Sequence, residues 1–145
     1  DMLDTKRLIM YRECLRRENI DYDSSIIKDC FWDLEKCAFQ TNELLQSQNR
    51  PDAIFAGSDS LAQVVIASIY QNNLRCPEDV AVVGFNNLNF SSYLIPPLTT
   101  VDVPSVEIGK VAVKRLLEMI QKNDQSLYGI FLPTRLIVRG STKGI

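Results

Sequence analysis

Two short apolar runs, AIFAG at 53–57 and VAVVG at 80–84, place the strongest limit on the fold of this chain. Each run ends in a glycine and contains no polar residue, which is typical of strands that are buried on both faces. The segment between them, LAQVVIASIY, is apolar on most sides and predicts a deeply packed helix over about 59–72. Two buried strands joined by a helix form a βαβ unit, so the sequence predicts a parallel sheet with right-handed crossovers.

The remaining segments alternate between helix-like and strand-like patterns, as a doubly wound α/β sheet requires. Asp33 is placed to cap a helix over 34–48, and Pro104 is placed to open a helix over 105–121. Either Ser58 or Asp59 can cap the central helix. The other predicted elements are a helix over 5–17 and strands over 25–27, 98–103 and 131–141, the last interrupted by Pro133.

The composition narrows the range of functions. A net charge of −2 gives no basic excess for binding nucleic acid. No apolar run approaches the roughly 18 residues that suggest a membrane span. The chain has no histidine, which removes the Ser-His-Asp and Cys-His nucleophile arrangements. The four cysteines lack the CxxC spacing of zinc sites, so we expect free thiols in a reducing cytosol, with no metal, no cofactor and no catalytic residue.

Short polar side chains gather where the predicted strands end. The three segments are the turn at 29–32, the sequence Gly-Ser-Asp at 57–59, and Gly-Phe-Asn-Asn at 84–87. Ligands of open α/β sheets bind outside the carboxyl ends of the strands. Hydrogen-bonding side chains combined with an aromatic ring suit a small polyhydroxylated or heterocyclic ligand.

Four motifs carry a family resemblance. They are PDAIFAGSDSLA, NNLRCPEDVAVVGFNN, YLIPPLTTVDVPSVEIGKVAVKRLL and LPTRLIVRGST. In this order they resemble the effector-binding module of the lactose/galactose-repressor family of bacterial transcription regulators, whose fold is that of the periplasmic sugar-binding proteins. The resemblance is weaker but in register over 5–50, so it covers nearly the whole chain.

The resemblance implies a division of the chain. Residues 1–101 correspond to the C-terminal effector-binding lobe without its first strand. Residues 102–129 correspond to a crossover and a helix of the N-terminal lobe, and residues 130–145 to a final strand that returns to the C-terminal lobe. On this correspondence, we expect the chain to lack the family's helix-turn-helix domain. We therefore expect an open sheet edge, exposed apolar surface and a homodimer.

The resemblance also assigns roles to individual residues. The residues matching effector-contacting positions are Arg7, Trp32, Ser58 and Asn86, with Phe31, Asp59 and Asn87 beside them. Tyr93, Leu94 and Ile95 match a segment that joins protomers in family dimers. Structural alternatives remain open at this point: Arg7 is one of several cations on a solvated helix, Phe31 or Trp32 packs under its loop, and Asp59 caps a helix.

The clearest departure from the family is at Asn86. The family commonly has Gly-(Phe/Tyr)-Asp-(Asp/Asn), whose first acid accepts hydrogen bonds from sugar hydroxyls, whereas this chain has Gly-Phe-Asn-Asn at 84–87. Asparagine carries no charge. With Arg7 retained, we expect an effector that is anionic or bears a carbonyl, such as a sugar phosphate or sugar acid, more than a neutral sugar.

The resulting functional hypothesis is the effector-sensing and dimerisation part of a cytoplasmic, sequence-specific transcription regulator. Its partners would be a small sugar-like effector, a second copy of the chain, and operator DNA contacted through a domain that this chain lacks, with no membrane partner. An extracytoplasmic sugar-binding protein for uptake is an alternative, and an α/β enzyme is another, because the fold does not separate the three.

Overall fold

A computed structural model describes residues 6–122, 126 and 128–143. The helices are α1 (Lys6–Arg17), α2 (Leu34–Gln46), α3 (Asp59–Gln71) and α4 (Ser105–Lys122), and the strands are β1 (Ala53–Phe55), β2 (Ala81–Asn86), β3 (Thr99–Asp102) and β4 (Arg135–Ile137). Short 3-10 helices lie at Ser24–Ile26 and Asn89–Ser92. The predicted first helix agrees with α1 over the described residues, and its predicted start at Thr5 lies outside them.

The four strands form one sheet in the order β1-β2-β3-β4. β1, β2 and β3 are parallel, whereas β4 pairs antiparallel with β3. The prediction of a parallel-dominated α/β sheet is confirmed, and within the described part of the chain β1 has a hydrogen-bonded strand on one side only. The carboxyl ends of β1 and β2 therefore meet at one end of the sheet, where their loops lie side by side.

Two polar side chains cap the N-termini of α2 and α3. Asp33 Oδ1 accepts a hydrogen bond of 3.0 Å from Lys36 N at the start of α2. Ser58 Oγ accepts one of 3.3 Å from Leu61 N at the start of α3. Ser58 is thus the cap of α3, and the alternative that Asp59 caps this helix is wrong. Asp59 is the first residue inside α3 and its side chain has other partners.

The hydrophobic core lies between α3, α2 and the sheet. As predicted from its apolar sequence, α3 is packed on several sides. Its partners come from α2, from β2 and from the segment before β3. The buried apolar residues are Cys37, Leu45, Ala56, Leu61, Ala62, Val65, Ile66, Ile69, Cys76, Val80, Val82 and Leu98.

The predicted strand at 25–27 is wrong. Ser24–Ile26 is a 3-10 turn in which Asp23 Oδ1 accepts a hydrogen bond of 2.8 Å from Ser25 N. Ile27 is extended, with φ −88° and ψ 120°, but pairs with no strand among the described residues. A β-branched segment becomes a strand only when a neighbour accepts and donates its backbone hydrogen bonds. The short Asx turn competes successfully here because this neighbour is absent.

The chain between β3 and Ser141 contains no buried residue among those that the structure describes. The final strand, predicted over 131–141, is limited to β4 at Arg135–Ile137. Beyond it the backbone leaves the ladder, because Arg139 N donates 2.8 Å to the side-chain oxygen of Thr99. α4 has no buried residue, and its apolar face is exposed, including Val106, Val113, Leu116 and Ile120.

Candidate ligand-binding site

Arg7, in the first turn of α1, is anchored at the carboxyl ends of two strands. Its Nη1 donates a hydrogen bond of 2.7 Å to the carbonyl oxygen of Gly57, just beyond β1. Its guanidinium carbon lies 4.7 Å from the ring centroid of Phe85 in β2, a cation–π contact. The side chain is exposed. Arg7 is therefore held in place by the sheet, with part of its fork of donors left accessible to a ligand.

A strained turn presents two aromatic rings next to this arginine. Phe31 and Trp32 both have positive φ, at 52° and 64°. Asp33 N donates 2.9 Å to Cys30 O to close the turn, and Phe31 N donates 2.9 Å to the carboxylate of Asp29. Left-handed backbone is unfavourable for large residues, at about 1–3 kcal/mol each. The turn leaves Phe31 and Trp32 55% and 60% exposed, so neither ring packs under the loop.

A groove of about 540 Å³ connects Trp32 to Arg7. It is lined by apolar side chains of α1, by Ile26 and Ile27, and by the whole of β1. Alternate residues along β1 direct their backbone groups towards β2. Two backbone hydrogen bonds show this: Ala81 N donates to Asp52 O, and Ala56 N donates to Val83 O. The backbone groups of Ala53 and Phe55 consequently face the groove. The groove follows the unpaired edge of the sheet and opens at its carboxyl end.

Ser58 and Asp59 lie behind the site surface. Ser58 is 4% exposed and its hydroxyl oxygen caps α3. Asp59 is completely buried, and its carboxylate accepts hydrogen bonds of 2.6 Å from Leu88 N, Ser91 Oγ and Thr100 Oγ1. Asp59 therefore joins α3 to the loop after β2 and to β3. It holds the loop in position and does not face solvent.

The conformation of the Asn-Asn pair explains the residue type. Asn86 has φ 106° and Asn87 has φ 52°. Asparagine tolerates the left-handed region better than most residues with a side chain, because its short polar group hydrogen-bonds locally. Asn86 is exposed at the end of β2, as a ligand contact requires. Neither Ser58 nor Asn86 lines the groove that Arg7 and Trp32 share, so the predicted residues divide into two neighbouring groups.

Asn87 is at the centre of a hydrogen-bond network. Its Nδ2 donates 2.9 Å to Asp102 Oδ1, and its Oδ1 accepts 2.8 Å from Arg139 Nη2. Arg139 Nη1 donates 2.7 Å to Leu98 O, and Asp102 Oδ2 lies 3.5 Å from Arg135 Nη2. Sequence reasoning missed Asp102, Arg135 and Arg139. The antiparallel register that pairs Asp102 with Arg135 was the missing information.

Gly84 allows the loop to approach α3. A Cβ at this position would clash with Asp59 Oδ1 and would lie 2.8 Å from Leu98 Cδ2. The glycine that ends the apolar run is therefore required by close packing.

The three residues assigned to a protomer interface are not equivalent. Tyr93 and Ile95 are 84% and 83% exposed. Leu94 is half-buried and packs against the core of its own chain.

Thiols and carboxylates near the site form no metal centre in the described part of the chain: no group of three or more metal-ligating side chains occurs there. Burial, together with a smaller contribution from the neighbouring Cys30 thiol, raises the pKa of the Cys37 thiol to about 11. Within the same described residues, no helix is long and apolar enough to cross a membrane. The arrangement is suited to binding a ligand through stacking and hydrogen bonds.

An α/β sheet that holds an aromatic ring and an arginine at the carboxyl ends of its strands is typical of ligand-binding domains of the periplasmic-binding-protein type. Residues 1–142 match the family of periplasmic binding protein-like domains, and the chain belongs to this family. The chain is 34% identical over 133 residues to the NTD biosynthesis operon regulator NtdR of Bacillus subtilis (strain 168), covering 91% of this chain and 40% of the relative. It is 31% identical over 135 residues to the ribose operon repressor of Haemophilus influenzae, covering 93% and 41%.

A solved structure extends the comparison to three dimensions. The complex of the transcriptional regulator CelR with cellobiose matches with a TM-score of 0.87 and 29% identity, over 94% of this chain and 42% of that one. The resemblance to regulators of the lactose/galactose-repressor family is therefore confirmed. The chain spans about 40% of the length of the curated relatives that it matches.

Proposed function

We propose that this chain is the effector-sensing part of a bacterial transcription regulator that responds to a small sugar-like molecule. The observation that carries the proposal is the strained turn that exposes Phe31 and Trp32 beside the anchored Arg7. Backbone strain of this kind persists where function requires it. The relatives are transcriptional regulators, which supports a binding role and argues against an enzyme.

The proposed contacts follow from what each side chain has free. Trp32, with Phe31 beside it, stacks on the effector ring, and Arg7 donates hydrogen bonds from the part of its fork that Gly57 does not use. Asn86 contributes a neutral amide that both donates and accepts. Ser58 is buried behind this surface with its hydroxyl oxygen capping α3, so we propose no direct ligand contact from it.

The effector class follows from charge. Asn86 brings no negative charge, and the buried Asp59 faces protein donors. Asp29 also lines the groove, but its carboxylate accepts a hydrogen bond from Phe31 N and is offset by the neighbouring cation Lys28. Arg7 therefore favours a phosphate or carboxylate, which it can bind in bidentate fashion. We propose a sugar phosphate or sugar acid in preference to a neutral sugar.

Isothermal titration calorimetry on the complete polypeptide tests the effector class. The panel is glucose, ribose, cellobiose, glucose 6-phosphate and gluconate. We expect an anionic member to bind most tightly and Arg7→Gln to weaken it by about 10- to 100-fold, the equivalent of one charged hydrogen bond. The matched control is Lys6→Gln, an exposed cation one residue earlier on α1. Binding of neutral sugars alone would refute the anionic class.

The division of the chain between two lobes is also proposed. The unpaired backbone of Ala53 and Phe55, and the apolar groove beside it, would be completed by a strand that directly precedes α1. Arg7 places the start of α1 at the carboxyl end of β1, so a strand leading into α1 would run parallel to β1. The exposed apolar face of α4 would pack against the rest of the N-terminal lobe. A polypeptide extended upstream should show slowed amide exchange at residues 53 and 55.

A homodimer is the proposed assembly. Tyr93 and Ile95 supply exposed apolar surface for it, whereas Leu94 belongs to the protomer core. Ile95→Asp should shift sedimentation of the complete polypeptide from dimer towards monomer, and a wild-type monomer at every concentration would refute the dimer.

The proposed mechanism is a change in the populations of two lobe arrangements. Effector binding between lobes would favour the closed arrangement. We propose that effector binding and operator binding by a DNA-binding domain are coupled by a free energy of about 1–3 kcal/mol. A symmetric dimer would match a pseudo-palindromic operator. We propose a cytoplasmic location, where DNA is accessible. If the complete polypeptide bound no DNA in a selection from random sequences, the regulator hypothesis would be rejected.

A further inference from the structure

We propose that Asn87 is the positioning residue that couples the ligand-facing loop after β2 to the two segments through which the chain crosses out of this lobe and returns. This inference rests on the proposed function and specifies how the same site is regulated. The critical observation is that one half-buried amide contacts both crossing segments at once.

The outgoing segment is held through Asp102. This residue ends β3, directly before Val103-Pro104 and α4, and its Oδ1 accepts 2.9 Å from Asn87 Nδ2. Its second oxygen lies 3.5 Å from Arg135 Nη2 in β4. The carboxylate thus joins the loop amide to a cation on the returning strand.

The returning segment is held through Arg139. Its Nη2 donates 2.8 Å to Asn87 Oδ1, while its Nη1 donates 2.7 Å to Leu98 O and its backbone N donates 2.8 Å to Thr99 Oγ1. Arg139 is half-buried and is fixed to the start of β3 by these bonds. A displacement of the Asn87 side chain therefore changes the hydrogen bonds of both crossings.

The loop backbone connects the ligand face to this amide. Asn86, which is exposed, and Asn87 have consecutive positive φ angles of 106° and 52°, a region with few alternatives for a residue with a side chain. Asn86 is also the register partner of Asp102 between β2 and β3. A ligand that reorients Asn86 must therefore move Asn87 or strain the pair.

Exchanging the amide and the carboxylate tests the coupling in the complete polypeptide. Asn87→Asp places two carboxylates against each other, whereas the double variant Asn87→Asp with Asp102→Asn restores a donor–acceptor pair. Asn89→Asp adds the same charge on the exposed 3-10 helix nearby and serves as the control. Asn87→Gly is a second way to remove the amide, because glycine adopts φ 52° freely.

Two readouts separate coupling from binding. Calorimetry measures the affinity for the tightest-binding member of the five-compound panel, and small-angle X-ray scattering measures the ligand-induced decrease in the radius of gyration. We expect Asn87→Asp and Asn87→Gly to bind about 5- to 150-fold more weakly, because the closed arrangement no longer contributes to the affinity, and to lose the compaction. The double variant should regain it, and Asn89→Asp should keep it.

Compaction that is unchanged in both Asn87→Asp and Asn87→Gly would overturn the coupling role. A loss of affinity without recovery in the double variant would also overturn it, because Asn87 would then be a simple ligand contact. If wild type bound no panel member, or bound one without compaction, the proposed function would fail at that step and the coupling role with it.

Discussion

Removing the buried carboxylate of Asp59 is the most informative perturbation of this fold. Asp59 is fully buried and accepts three hydrogen bonds of 2.6 Å from Leu88 N, Ser91 Oγ and Thr100 Oγ1. In Asp59→Ala the two hydroxyls can rotate towards other acceptors, but the Leu88 N–H cannot. An unsatisfied buried donor costs about 1–3 kcal/mol, and hydrogen bonds to a charged group contribute about 1.5–3 kcal/mol each.

We therefore expect Asp59→Ala to lower the free energy of unfolding by about 3–5 kcal/mol, a large fraction of a typical total of about 5–15 kcal/mol. Asp59→Asn should lower it by only about 1–2 kcal/mol, because its amide oxygen can still accept from Leu88 N and Ser91 while its NH₂ group donates to Thr100.

Urea unfolding followed by circular dichroism measures the difference. With an m value of about 1–3 kcal/mol per molar, Asp59→Ala should shift the midpoint down by roughly 2 M. Asp52→Ala removes an exposed carboxylate at the opposite end of β1 and should leave the midpoint nearly unchanged. A loss below about 1 kcal/mol in Asp59→Ala would show that the three hydrogen bonds do not hold the loop, and the reasoning would be refuted.

Two further predictions concern packing and charge. Gly84→Ala should lower the free energy of unfolding by about 1–3 kcal/mol, because the new methyl group would clash with the Asp59 carboxylate. Urea unfolding measures this difference. A stability equal to that of wild type would show that α3 can shift to make room. Arg75 lowers the pKa of Asp79 to about 2 through its side-chain hydrogen bonds, so this contribution to stability is present above the unfolded pKa near 4 and is lost as the pH falls towards 2. Asp79→Asn should flatten the dependence of the unfolding temperature on pH in that interval, and an unchanged slope would contradict the assignment.

The sequence was most informative where one local signal decides the outcome. The apolar runs at 53–57 and 80–84 correctly predict two parallel strands. The expected burial on both faces holds better for β2 than for β1, in which Ala53 and Phe55 are exposed along the groove. Asp33 and Ser58 are recognisable as helix caps because their side chains act on backbone three residues away. The family resemblance, not the strand-end rule, identified Arg7, and the structure places it at the carboxyl ends of β1 and β2.

Structural features that depend on a residue or strand far away in the sequence could not be predicted. The segment 25–27 has strand-like residues but lacks a neighbouring strand, and so forms a turn. The network of Asn87 with Asp102 and Arg139 joins residues 15 and 52 positions apart, a distance over which no periodicity operates.

Apart from the strand wrongly predicted at 25–27, the sequence by itself determined the order of helices and strands. It also determined the buried central helix and the location of polar residues at the strand ends, because these depend on side-chain type and near neighbours. Only the tertiary structure decided what each polar residue does. Asp59 turned inward to three donors, Asn86 remained exposed, and Asn87 joined both crossings, because burial and hydrogen-bond partners are set by segments that meet only when the sheet forms.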